Sequence, residues 1–267
     1  MNQNDVSQKL EEAMLAWHMP YASLPGSTLC EEGDCTWYTS AIGFAGYGGV
    51  FRHRFAEEGL AARIGELRTV ASSSDDRTVW TITAQSRPLD LGRFLVGAGG
   101  RHIFTIRGMA RPLPISGELE LPDDVEVRAA EDEADVETYA RIYPELTGLE
   151  TEAWIKDVVA AELAIFRSGR DVFHRWIATV DGEAAAVGMT SVVDGAAVIQ
   201  TLSVLPGFQK RGIGRALMAS ALAAEHKGGC TEALVWSGPD AHGFYGSLGF
   251  EHCCDGDLYS LPADGGP

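Results

Sequence analysis

Hydrophobic and polar positions change period repeatedly along the second half of the chain. VEVRAAE (125–131) alternates as a half-buried strand does. ADVETYARIYPELTG and TEAWIKDVVAAELAIFRSG predict two helices, with Thr151 as a candidate N-cap before Glu152. FHRWIATVDGEAAAVGMTSVVDGAAVIQTLSV holds three strand-like runs. Asp181-Gly182 and Asp194-Gly195 separate them, a strong hairpin signal that predicts an antiparallel meander. After Pro206-Gly207 the period turns helical from about Gly212 to Lys227, and Gly228-Gly229 stops it. Ile213, Ala216, Leu217, Ala221, Leu222 and Ala224 form the apolar face of that helix. TEALVWS predicts a strand, DAHGFYGSLG a short helix, and FEHCCDGDLYSL a final strand or hairpin. The order β-α-α-β-β-β-α-β-α-β implies a mixed, mostly antiparallel sheet with helices on both faces, in the α/β or α+β class.

The first half alternates helix and strand less regularly. VSQKLEEAMLAWHM predicts a helix, TWYTSAIGFAGYGGVFRHRF strands with glycine breaks, and EEGLAARIGELRTVASS a helix. RTVWTITA predicts a strand, DLGRFLVGAG a helix ending at glycine, and RHIFTIRGMA a strand. RPLPISGELELPDD (Arg111–Asp124), with three prolines and an acidic end, reads as a linker. The expected division is one domain over 1–118 and a second over 123–260.

Composition narrows the function classes. The net charge of −17 disfavours nucleic acid as a partner, because phosphate contacts need Lys and Arg. The charge is uneven: residues 1–118 hold 11 basic and 13 acidic side chains, residues 119–267 hold 10 and 25. That surplus serves solubility, or attracts a cationic, amine-bearing substrate. No run approaches a membrane span, and the N-terminal MNQNDVSQKLEEAM is polar and acidic, unlike a secretory signal. A cytoplasmic protein, monomer or homodimer, without a membrane partner is expected. The five cysteines, Cys30, Cys35, Cys230, Cys253 and Cys254, match neither a disulfide framework nor a paired zinc-ligand spacing, so reduced thiols and no metal are expected.

The stretch VLPGFQKRGIGRAL (204–217) carries the chemistry. A strand feeding a helix through a glycine-rich turn directs backbone N–H groups and the positive end of the helix at the loop. Gly212 and Gly214 allow close approach of a phosphate, and Lys210, Arg211 and Arg215 offset its charge. Three of the ten basic residues of this half lie within six positions. The plain alternative is a solvated basic helix start. A Walker loop is excluded because no Gly-x4-Gly-Lys-Ser/Thr pattern occurs, and a dinucleotide fingerprint because Leu217 stands where its third glycine would be.

VLPGFQKRGIGRALM resembles the acetyl-coenzyme-A-binding segment of the Gcn5-related N-acetyltransferase superfamily. Val204, Pro206, Gln209, Gly212 and Gly214 fill its pattern. SGPDAHGFYGSLGF resembles the family's closing segment, with Tyr245 ahead of Gly249-Phe250. The resemblance covers about residues 123–260. TWYTSAIGF…WTITAQSRPLDLGRFLVGAGGRHIFTIRGMA resembles, more loosely, the degenerate first half of two-part members, which shapes the acceptor pocket. Trp37, Tyr38, Phe44, Tyr47 and Trp80 are its aromatic candidates, with a core role favoured for Trp80 inside an alternating strand.

The resemblance implies a set of roles. The turn from Gln209 through Lys210, Arg211, Gly212, Ile213 and Gly214 to Arg215 would hold the pyrophosphate of coenzyme A. Leu202, Ser203 and Val204 would form the strand edge beside the pantetheine arm, and Ser237 would contact that arm. The Val204 N–H would polarise the thioester carbonyl. Tyr245 would act as the general acid toward the leaving thiolate, at an unperturbed phenol pKa. Ser237-Gly238-Pro239-Asp240 departs from the family's common Asn at the start of this segment. The strand AAVIQTLSV lacks the carboxylate some members use as base; Glu145 and Glu150 read more readily as surface charges. The implied activity is transfer of an acetyl group from acetyl-CoA to a primary amine of a small molecule in a ternary complex. The alternative is a non-catalytic coenzyme-A-binding module on the same fold.

Overall fold

The computed structural model describes residues 3–40, 42, 47–72, 77–115, 122–146, 151–169 and 172–263. In chain order the elements are α1 (Gln3–Ala22), β1 (Thr28–Glu31), β2 (Thr36–Thr39), β3 (Gly49–Phe51), α2 (Leu60–Val70), β4 (Arg77–Thr83), α3 (Leu91–Gly97), β5 (Arg101–Pro112), β6 (Val125–Ala129), α4 (Glu133–Ile142) and α5 (Glu152–Arg167). They continue with β7 (His174–Val180), β8 (Glu183–Val193), β9 (Ala196–Val204), α6 (Ile213–Lys227), β10 (Glu232–Ser237), α7 (His242–Ser247) and β11 (Glu251–Pro262). The second-half order is the expected one. The result is a mixed α/β fold.

Two compact units share these elements. The first comprises Met1–Met109, Trp236–Ser247 and Glu251–Pro267; the second comprises Ala110–Val235 and Leu248–Phe250. The chain thus returns to the first unit after β10.

In the first unit the strand order is β1-β2-β3-β4-β11-β5. β3 and β4 are parallel at Val50↔Trp80, and β4 pairs antiparallel with β11 from Arg77↔Pro262 to Thr83↔Gly256. Val50, Ile64, Leu67, Trp80, Leu91, Leu95 and Leu261 form the core, and the His53 ring stacks on Trp80. Gly49 is required at its place: its φ is +141°, and a Cβ there would lie 2.4 Å from the Val79 carbonyl oxygen. α3 stops as expected: Gly99 is left-handed, and the Gly100 N–H donates to the Leu95 carbonyl at 2.8 Å. β1 was not expected; its four residues are exposed or half-buried and show no alternation to read.

In the second unit the order is β10-β9-β8-β7-β6, with β6 to β9 antiparallel neighbours and β10 parallel to β9. Both Asp-Gly pairs have positive φ at each residue, as tight hairpins require. Thr151 caps α5, accepting a hydrogen bond from the Trp154 N–H. α6 buries Ile213, Ala216, Leu217, Ala221 and Leu222 against the sheet, and also Glu225. It ends where Cys230 N–H reaches the Glu225 carbonyl at 3.0 Å.

Candidate active site

The candidate donor site begins on β9. Leu202, Ser203 and Val204 pair with Gly188, Val187 and Ala186 of β8. Between Met189↔Thr201 and Thr190↔Ile199 the register slips, so Gln200 bulges from the strand. The parallel ladder with β10 ends at Ile199↔Val235, whereas β9 runs on to Val204. The strand therefore carries five residues beyond its last β10 partner, and these lead into the turn. Ser203 is buried; Leu202 and Val204 are half-buried.

The turn is built from backbone. A short 3-10 segment, Pro206–Phe208, follows β9, and the Gln209 side-chain Nε2 donates to the Val204 carbonyl at 3.1 Å. Lys210 (φ 61°) and Gly212 (φ 82°) are both left-handed, a conformation that makes anion-binding concavities when it alternates with right-handed residues. No side chain caps α6, and its first intrahelical bond runs from Ala216 N–H to the Gly212 carbonyl. The N–H groups of Ile213 and Gly214 precede that bond. A Cβ at Gly212 would meet only Pro122, at 3.9 Å, so the approach is open. Lys210, Arg211 and Arg215 are exposed, while Ile213 anchors the turn in the core. Arg211 is engaged: its guanidinium donates to Asp124 at 2.6 Å and lies over the Phe208 ring. Both partners are half-exposed, so this pair is weak and exchangeable.

The segment bearing Ser237 and Tyr245 is compact in itself. Ser237 is buried and donates to the Gly238 carbonyl at 3.1 Å. His242 sets its Nε2 3.0 Å from the Ser237 carbonyl. Tyr245 is buried in α7, with Phe244 edge-on to its ring. Burial pushes its phenol above the ordinary value, so the expected unperturbed pKa does not hold. The hydroxyl keeps its proton throughout the physiological range.

Other candidates fall differently. Tyr38, Tyr47 and Trp80 are buried in the first unit; Tyr38 pairs with His18 Nδ1 at 2.6 Å, and Tyr47 packs on Trp17 and Tyr21. Trp37 is half-buried and donates to Glu32 at 2.7 Å. Phe44, Glu150 and the Glu145 side chain lie outside the described residues. The space above Gly188 is filled: a Cβ there would meet Leu217 and Met218 side chains at 2.7 Å. All five cysteines are free thiols, and no metal-ligating cluster occurs among the described residues.

The first unit contains a turn the sequence reading had not recognised. α2 also starts behind a left-handed glycine, Gly59 (φ 77°, ψ 2°), against Gly212 (φ 82°, ψ −5°) before α6. Each helix joins two parallel neighbours, β3 to β4 and β9 to β10. Glu57 and Glu58 precede Gly59 where Lys210 and Arg211 precede Gly212. The left-handed glycine recurs with the preceding charge reversed and without a left-handed residue like Lys210 ahead of it, which disfavours a phosphate at α2. A glycine just ahead of an apolar helix was the available signal.

Residues 171–252 match the family model of the acetyltransferase (GNAT) domain. No curated protein sequence matches the chain. Among solved structures, a GCN5-related N-acetyltransferase from Kribbella flavida superposes with a TM-score of 0.69 at 14% identity, covering 97% of this chain and 95% of that one. A tandem GNAT protein from the clavulanic acid biosynthesis pathway gives 0.63 at 14% identity, over 100% and 97%. A GCN5-related N-acetyltransferase from Sphaerobacter thermophilus gives 0.60 at 15%, over 96% and 93%. The fold is therefore that of two-part GNAT proteins along nearly the whole chain. Within it, the match to the acetyltransferase (GNAT) model lies in the second half, at residues 171–252.

Proposed function

We propose that this protein is an acyl-coenzyme-A-dependent N-acyltransferase, moving the acetyl group of acetyl-CoA to a primary amine of a small molecule. The observation that carries the reading is the end of β9. Five residues run beyond the β10 ladder and feed a left-handed glycine turn at the start of α6. An extended pantetheine arm can lie along such an edge as an added strand, and the turn's N–H groups suit a pyrophosphate. Leu202, Ser203 and Val204 serve the arm, and Gln209 to Arg215 the phosphates. The buried Ser237 hydroxyl can turn from Gly238 to the pantetheine.

In the proposed step the amine lone pair attacks the thioester carbonyl carbon. The C–N bond forms, the C–S bond breaks, and the amine proton passes to water. Tyr245 gives its proton to the departing thiolate and recovers one from solvent. A phenol that stays protonated at working pH is suited to wait for that thiolate. The acidic surface of the second half suits a cationic acceptor.

Release of free coenzyme A from acetyl-CoA, followed across a panel of amines, tests the activity. Binding of coenzyme A without turnover on any amine would favour a binding module instead. For Tyr245→Phe, kcat is expected to fall by about 10²–10⁴-fold with coenzyme A affinity retained. An unchanged kcat removes Tyr245 from the mechanism.

A further inference from the structure

Beneath the departure of β9 from β10 lies a buried polar pair that the reaction itself does not use. Two irregularities coincide at Gln200: the bulge against β8, and the end of the β10 ladder one residue earlier. Thr201 comes next. Its side chain is buried, and its Oγ1 lies 2.9 Å from the hydroxyl of Tyr139, on α4. The Tyr139 ring is wholly buried and held on two sides. Tyr143 stacks parallel to it at 5.7 Å, and the Arg175 guanidinium sits 5.8 Å from its centroid. Arg175 is fixed in turn by two hydrogen bonds, from Nε and Nη2 to Glu162 Oε2 at 2.8 and 2.6 Å, with both partners buried.

A Phe–Val pair would fill this space with the same volume and no buried hydroxyls to satisfy. What the hydroxyl pair adds is direction: it fixes one point of β9 relative to α4, and a buried partner left alone costs free energy. That point is the first residue after the bulge. Resting on the donor site proposed above, we propose that Tyr139 and Thr201 are positioning residues that fix where β9 leaves β10, and so set the strand edge that receives coenzyme A. Neither touches the reacting atoms.

The test uses the full chain with four variants: Tyr139→Phe, Thr201→Val, the double variant, and Thr201→Ser, which keeps the hydroxyl. Amide hydrogen exchange without ligand reads the strand, and calorimetric titration with coenzyme A reads the site. In Tyr139→Phe and Thr201→Val, exchange is expected to quicken at Leu202–Val204 and stay unchanged at Ala197–Ile199. Coenzyme A should bind about five- to tenfold more weakly. The double variant should be no worse than the weaker single one, and Thr201→Ser should bind as the wild type does. Unchanged exchange at Leu202–Val204 in Tyr139→Phe overturns the proposal. Faster local exchange with undiminished coenzyme A affinity overturns its link to the donor site. A wild-type chain that does not bind coenzyme A overturns the donor reading, while the exchange arm still decides whether the pair holds the strand.

Discussion

Glu225 lies on the buried face of α6, where a carboxylate is costly unless its charge is met. His174 Nδ1 sits 2.7 Å from Oε1, and the Thr190 hydroxyl donates to the same oxygen while accepting from Trp176 Nε1 at 3.0 Å. Burial works to raise the pKa of Glu225, but the bonds from His174 and Thr190 outweigh it and hold the carboxyl below its ordinary value. A folded-state pKa below the unfolded one adds stability above the unfolded value and loses it as pH falls through the folded one. Glu225→Gln is expected to cost about 1–3 kcal/mol at neutral pH. Its melting temperature should also fall less steeply than the wild type's when the pH is lowered from about 5 to 3. Parallel melting curves for the two proteins would contradict this account. None of it was legible from the sequence, where the apolar face of the helix ran to Ala224 and did not include Glu225. The bonds that make Glu225 a core residue come from β7 and β8, which no helical period can report.

At the scale of elements, what the sequence revealed and what it hid have separate causes. The Asp-Gly hairpins, the cap at Thr151, the glycine stops after α3 and α6, and the VLPGFQKRGIG turn are local chemistry, so they could be read directly. The bulge at Gln200 is a relation between β8 and β9, and no residue in AVIQTLSV announces it. Gly188 is similar: nothing around it in the sequence announces a contact, yet its missing Cβ is the seat of Leu217 and Met218. α6 packs on β8 through that gap. Gly188→Val is expected to destabilise the chain by about 1–3 kcal/mol, measured by chemical denaturation, with Gly188→Ala milder because both contacts are flexible side-chain ends. A neutral Val variant would mean that α6 can move off the strand without cost. In their starting turns, α2 and α6 share only the left-handed glycine: Glu57-Glu58 precede one and Lys210-Arg211 the other, with opposite charge.

For the molecule as a whole, the sequence suggests one cut, at the proline-rich stretch, while the contacts group the last residues with the first. β11 finds its partner in β4, and Leu261 lies in the core with Trp80 and Val50. A fragment spanning 123–260 keeps most of β11 without the strand it pairs with. It is expected to aggregate or to show no cooperative melt, whereas the full chain melts cooperatively. Deleting Leu258–Pro262 from the full chain should lower the melting temperature and loosen the first unit, checked by protease susceptibility of Arg77–Thr83. A soluble, cooperatively folding 123–260 fragment would show that β11 can do without β4.

The β4–β11 ladder also orders events at the ribosome. β4 emerges early and can meet β3 at once, but its other edge must wait while the whole second unit is translated. The meander of β6 to β9 has only near neighbours to find and can fold in that interval. During synthesis the first unit therefore stands open along one strand edge, and it closes only when Gly256–Pro262 arrive.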